Sequence, residues 1–271
     1  RVAELQENDA ATAMLLADAY TFARSPEDLA GHPRDGDRAL SILEEAIAQA
    51  EDPDDRLVLR LRRASVHAML AGSDETGLRM REAVAENRTL LSEAEGTPVM
   101  SIALMELARR CLFAGAPDEA MRLYNRLGKL EGWESLVLSE TGVAQAMSGD
   151  AGSAVKKFEE AISRTSPESM AALNRAYRAA LGEPYWSFWT ALETLAVRQC
   201  QNHAWLAGLR TRCGDLERGR THLRLAIELL DDEEMAAMRP VLAAEMVKRF
   251  EQLFPELSGA PELVALRDEV S

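Results

Sequence analysis

The stretch SLVLSETGVAQAMSGDAGSAVKKFEEAISRTSPE, residues 135–168, decides the fold. Its second half carries Ala154, Val155, Phe158, Ala161 and Ile162 at i, i+1, i+4, i+7 and i+8, which is one apolar stripe on a helix. Lys156, Lys157, Glu159 and Glu160 take the opposite face. Gly149 interrupts the stretch midway as a turn signal, so these residues predict two helices and a short connection.

The same punctuation returns on either side. Turn signals centred on Gly72, Gly115, Gly149, Gly182 and Gly214 stand 43, 34, 33 and 32 residues apart. Five positions after each comes Gly77, Ala120, Ala154, Ser187 or Gly219, and seven further on Leu127, Ala161 and Ala226 continue the series. A period near 34 with a glycine mid-repeat is what two antiparallel helices per repeat produce, because each pair exposes an apolar face that the next pair covers. The small residues have a mechanical reason. Helices whose axes lie at the close end of the usual separation of about 8–10 Å need Ala or Gly where their backbones cross. Ala, Leu, Glu, Arg and Met dominate the chain and no alternating run of β-branched or aromatic residues appears, so the expected class is all-α.

The pattern resembles the tetratricopeptide repeat family, whose consensus has small residues at repeat positions 8, 20 and 27, glycine near 15, an aromatic at 24 and proline near 32. Residues 135–168 match best, with Gly142, Gly149, Asp150, Ala154, Phe158 and Ala161 in place and Pro167 one position late. Residues 101–134 follow with Ala108, Gly115, Ala120 and Tyr124, and residues 200–233 with Leu206, Ala207, Gly214, Asp215, Gly219 and Ala226. Residues 10–53 supply Ala17, Tyr20, Ala39, Leu43, Ala46 and Pro53 around an insertion, SPEDLAGHPR. Two stretches depart from the pattern. Residues 54–100 are longer than one repeat, read as an extended second helix, with Arg81 where an aromatic is usual. Residues 169–199 are short and degenerate, with Asn174 and Arg175 where Leu and a small residue belong. EEMAAMRPVLAAEMVKRFEQLF and PELVALRDEV read as capping helices within residues 234–271, with Pro240 and Pro261 suited to first turns. The resemblance implies one domain over residues 1–271, a right-handed helical-repeat superhelix of the α-solenoid kind.

Charge and motifs narrow the function. Thirty-one basic against 45 acidic residues give a formal charge of −14, which repels a phosphate backbone, so nucleic acid is not an expected partner. Cys111, Cys200 and Cys213 are odd in number and lack paired metal-ligand spacing, which favours a reducing, cytoplasmic setting over a disulfide framework. No apolar stretch approaches the roughly 20 residues a membrane helix needs, so membrane insertion is not expected. A chain beginning at Arg1 reads as a fragment or a processed form. There is no phosphate-cradling glycine loop, H-E-x-x-H pair or nucleophile elbow. His32, His67, His203 and His222 have no Cys or second His at i+3 or i+4. Asp52, Asp54 and Asp55 around Pro53 read as turn chemistry. Enzyme activity, a cofactor and a bound metal are therefore not expected.

In the family, the first helix of each repeat lines a concave groove and ligands meet repeat positions 2, 5, 9, 12 and 13. The resemblance puts there Met14, Asp18 and Phe22, then Arg62, Val66 and Met69, then Ile102, Met105, Arg109 and Leu112, then Leu136, Val143 and Met147. Such an apolar, methionine-rich groove suits an amphipathic helix or an extended apolar peptide. The same residues read as core if neighbouring helices or the chain's own terminal helix cover them. Met14 and Asp18 stand where a carboxylate clamp requires Lys and Asn, which argues against that clamp. In LGEPYWSFWTALE, residues 181–193, Tyr185, Trp186, Phe188 and Trp189 cannot share one face at 100° per residue. They either fill core volume or offer an anchor such as Trp186. Arg198, Arg210, Arg212, Arg218, Arg220 and Arg224 outnumber Asp215 and Glu217, and either dock an acidic segment or pair within the chain. The expected function is a protein-interaction scaffold that binds a helix or peptide of another protein through Met14, Arg62, Met69, Met105, Arg109, Met147, Trp186 and Arg212. The alternative is a regulatory or sensor segment of a larger protein, binding a peptide or an adjoining domain.

Overall fold

A computed structural model of the chain describes residues 13, 14, 17, 36–71, 77–182, 185, 194–232, 236 and 239–270. Among them every regular element is helical and no strand occurs. The packing divides the chain into two compact units, Arg1–Leu127 with Tyr177–Phe188, and Gly128–Ala176 with Trp189–Ser271. The first holds α1 (Gly36–Gln49), α2 (Pro53–Leu70), α3 (Leu78–Glu93), α4 (Met100–Phe113) and α5 (Pro117–Leu127), each packed on the next. The second holds α6 (Glu134–Met147), α7 (Ala151–Arg164), the part of α8 (Pro167–Leu181) up to Ala176, α9 (Leu195–Arg212), α10 (Leu216–Leu230), α11 (Arg239–Leu253) and α12 (Pro261–Val270). There α6 packs on α7, α7 on α9, α9 on α10, and α11 and α12 close over α10.

Three hairpins close with one chemistry. At the α4–α5, α6–α7 and α9–α10 turns, Gly115, Gly149 and Gly214 adopt left-handed φ values of +77°, +89° and +84°, which a side chain would strain. The next amide in each turn donates five residues back: Ala116 to the Cys111 carbonyl at 2.8 Å, Asp150 to Gln145 at 3.0 Å and Asp215 to Arg210 at 2.9 Å. Each bond satisfies a carbonyl that the ending helix leaves open. Asp150 and Asp215 then start the next helix, their carboxylates accepting from the Ser153 amide at 3.0 Å and the Arg218 amide at 3.2 Å. Asp52 does the same for α2 through the Asp54 amide at 2.7 Å.

The small positions sit where helices touch. A methyl group at Gly142 would stand 3.0 Å from the Phe158 ring, and one at Gly219 would stand 2.9 Å from the Ala207 carbonyl oxygen. Ala108, Ala120, Tyr124, Ala154, Ala161 and Ala226 have no exposed surface. The second unit has one continuous core drawn from α7, α9, α10, α11 and α12. Its aromatic centre is Trp205, parallel to Phe158 at 5.9 Å and edge-on to Phe254 at 5.7 Å. Pro240 and Pro261 lie in the first turns of α11 and α12, as expected.

The irregular stretches have local causes. The extra length in residues 54–100 is shared by an 18-residue α2, a 16-residue α3 and a turn through Gly96 at φ +81°, not carried by the second helix alone. The last repeat's first helix begins at Leu195 instead of residue 200, because the Thr194 hydroxyl accepts from the Val197 amide at 3.2 Å and caps it there. Tyr20 and the insertion at residues 25–34 lie outside the described residues. Among the described residues, no helix is long and apolar enough to cross a membrane.

Candidate partner-binding surface

In the first unit α2 and α4 lie side by side, carrying two of the four groups of expected contact residues. All the apolar members but Met69 go inward. Val66, Ile102 and Met105 have no exposed surface and Leu112 keeps only 3%; Met14, from the preceding stretch, is also fully buried. The Tyr177 hydroxyl, from the segment that begins at Tyr177, donates to the Met105 sulfur at 3.2 Å. Met14 and Met105 are core side chains as the chain is folded here, and they offer no surface to a partner. Arg62, Met69 and Arg109 stay half-buried, and Phe113, the last residue of α4, is 67% exposed.

Beneath this rim lies a buried ionic group. Glu106 and Arg110 sit one turn apart on α4 and pair directly. The Ser65 hydroxyl of α2 donates to Glu106 at 2.8 Å and accepts from Arg110 at 2.7 Å. Burial pushes the Glu106 carboxyl up, but the guanidiniums of Arg110 and Arg109, the Ser65 hydroxyl and the Arg62 guanidinium outweigh it and hold it below its ordinary value. The arrangement keeps α2 and α4 in a fixed register and places Arg62 and Arg109 around one buried negative charge. The i, i+4 spacing of Glu106 and Arg110 was visible in the sequence, but nothing there indicated that the pair would be buried.

In the second unit Leu136 is buried, Val143 packs on the core and Met147 is 46% exposed. The arginine segment is taken up by the unit's own acids. Arg210 pairs with Glu159, Arg218 with Asp215 at 3.5 Å, and Arg224 and Arg220 reach Glu262 of α12 at 2.7 and 4.0 Å. Arg198 is buried. Arg212 lies 4.8 Å over the Phe254 ring and donates to the Leu253 carbonyl, closing the open end of α11. One turn earlier Gly208 makes room for that ring, since a methyl group there would fall 2.2 Å from its Cγ. Tyr185 of the aromatic turn is 4% exposed; Trp186, Phe188 and Trp189 lie outside the described residues.

Two histidines that looked scattered come together. His203 Nδ1 and His222 Nδ1 are 2.9 Å apart, joined across the α9–α10 hairpin. They are 19 residues apart in sequence, and folding the chain about Gly214 would have paired them. Cys111, Cys200 and Cys213 form no disulfide, and burial raises the first two thiols to about 11 and about 12. An open depression of about 230 Å³ is lined by Arg88, Leu91, Ser92, Glu95 and Arg126, and Arg88 itself pairs with Glu119 at 2.8 Å.

No family model and no curated protein matches the chain.

Proposed function

We propose that the chain is a tetratricopeptide-type interaction module that holds a helix or extended segment of another protein and performs no reaction of its own. The observation that carries this reading is Phe113. A side chain of that size left 67% exposed forgoes most of the roughly 1.5–3 kcal/mol its burial would contribute, and such residues anchor partners. Arg109, one turn before it, adds a polar flank, and Arg62 and Met69 on the adjoining α2 extend the same rim. Three hairpins with one turn chemistry, their glycines 34 and 65 residues apart, one and about two repeat lengths, support the repeat reading. In the second unit Met147 is the counterpart of Phe113, at repeat position 13, and Arg212 belongs instead to the contact with Phe254.

A second reading, a regulatory segment of a larger protein, is favoured by a different observation. In the first unit a segment of the same chain already covers a position expected to face a ligand, Tyr177 on Met105, and in the second Phe254 closes down on Gly208 of α9. Affinity capture with the wild type, Phe113→Glu and Met147→Glu, with melting curves as control, separates these readings. A partner lost from Phe113→Glu at unchanged melting temperature supports the scaffold. Capture indifferent to both substitutions contradicts it.

A further inference from the structure

We propose that the His203–His222 contact makes the α9–α10 hairpin acid-sensitive, closed while the two rings share one hydrogen and forced apart when both are charged. The geometry is that of a hydrogen bond. The ring centres are 5.1 Å apart, close to the most that a 2.9 Å nitrogen separation and the two ring radii allow, and the planes differ by 28°. The rings therefore meet edge to edge, each Nδ1 facing the other along the line between centres. That excludes the pair as a ready chelate, because a metal held at about 2.0–2.1 Å from both nitrogens needs their lone pairs to converge on a point off that line. One Nδ1 carries a hydrogen and the other accepts it. A first added proton leaves this bond intact, since an imidazolium Nδ1–H still donates to a neutral partner. A second sets two N–H groups against each other at the same 2.9 Å.

The surroundings give the charged pair little relief. His203 is 9% exposed and lies on the α9 face that meets α10. The charges acting on His222 are Arg210 of α9, Glu159 of α7, and Arg218 and Asp215 at the start of α10. They cancel in pairs, Arg210 with Glu159 and Arg218 with Asp215, and Arg220 and Arg224 face Glu262 of α12. The repulsion between the rings is left to decide. Burial, then His222 beside it, lowers His203 to about 4, and burial and Arg210 lower His222. Both folded values lie below the ordinary 6.5, so the unfolded chain binds more protons in that window. The contribution is complete above about pH 6.5 and is lost as pH falls towards about 4.

Two measurements on the intact chain test this. Imidazole nitrogen NMR at pH 7 should show one Nδ1 protonated and the other accepting. Amide exchange should show α9 and α10 losing protection between pH 6.5 and 4 before α4 and α5 do. Replacing one ring by an uncharged hydrogen-bonding group, His222→Gln, should leave α9 and α10 at least about tenfold better protected at pH 4 than in the wild type, because only one ring is left to charge and one proton fewer drives opening. The proposal fails if both Nδ1 atoms carry hydrogens at pH 7, if α9 and α10 lose protection together with α4 and α5, or if His222→Gln loses as much protection by pH 4 as the wild type. The NMR result stands even if the variant does not fold.

Discussion

Replacing Gly208 by alanine should destabilise the wild type and stabilise a variant that lacks the Phe254 ring. In the wild type the new methyl group would lie 2.2, 2.3 and 2.4 Å from three ring carbons, so the ring must move. Overpacking of that kind costs about 1–3 kcal/mol, against a helix-propensity gain of about 1 kcal/mol for Ala over Gly. The expected net loss is about 0–2 kcal/mol. Phe254→Ala removes a ring that is 1% exposed and touches Trp205, Phe250 and Arg212, which should cost about 3–5 kcal/mol. In that background the Gly208→Ala methyl group enters emptied space, and the propensity gain alone remains. The effect of one substitution thus changes sign with the presence of the other, a coupling of about 1–3 kcal/mol. Urea unfolding of the four proteins, followed by tryptophan fluorescence and far-ultraviolet circular dichroism, measures it. Additivity within about 0.5 kcal/mol would show that the ring does not rest on Gly208.

Other outcomes follow from the same packing. Glu106→Gln should destabilise the first unit by about 3–5 kcal/mol, because Arg110 is left buried without its counter-charge; a melting temperature within a degree of wild type would contradict that. The folded Glu106 lies below its ordinary 4.5, so its contribution is complete above that value and is lost as pH falls through the lower folded one. Acid titration of the wild type should accordingly show a loss of first-unit stability that Glu106→Gln lacks. Met105→Glu should unfold the first unit, whereas Phe113→Glu should change stability by no more than about 0.5 kcal/mol. Equal melting of the two would show that Met105 is not core. Gly219→Val should cost more than about 2 kcal/mol in thermal unfolding, since the obstacle on α9 includes backbone and cannot swing away.

What could be read in the sequence divides along the line between local and distant contacts. The hairpin turns were legible because a left-handed glycine, an aspartate cap and a small residue at the crossing lie within a dozen positions of one another, as at Gly149, Asp150 and Ala154. The methionines were harder. Position 105 was expected to line a groove, and Tyr177, 72 residues along the chain, reaches its sulfur. Arg210, Arg220 and Arg224 likewise met their acids at Glu159 and Glu262, too far along the chain for a local count of charges to pair them. Glu106 and Ser65 are 41 residues apart, and their contact depends on α2 and α4 lying side by side. His203 and His222 were an intermediate case. A helical spacing of three or four could not relate them, but a hairpin folded about Gly214 could.

The proposed binding of another protein depends most on the exposed end of α4. The direct measurement is to replace Phe113 by a photoreactive phenylalanine analogue, irradiate the chain in an extract of its own cells, and identify what becomes attached. A control chain carries the same analogue at Glu82, an exposed residue of α3. A discrete partner joined at position 113 and absent from the control is the expected result. An identical pattern from both positions, or no defined adduct at 113, would contradict the claim.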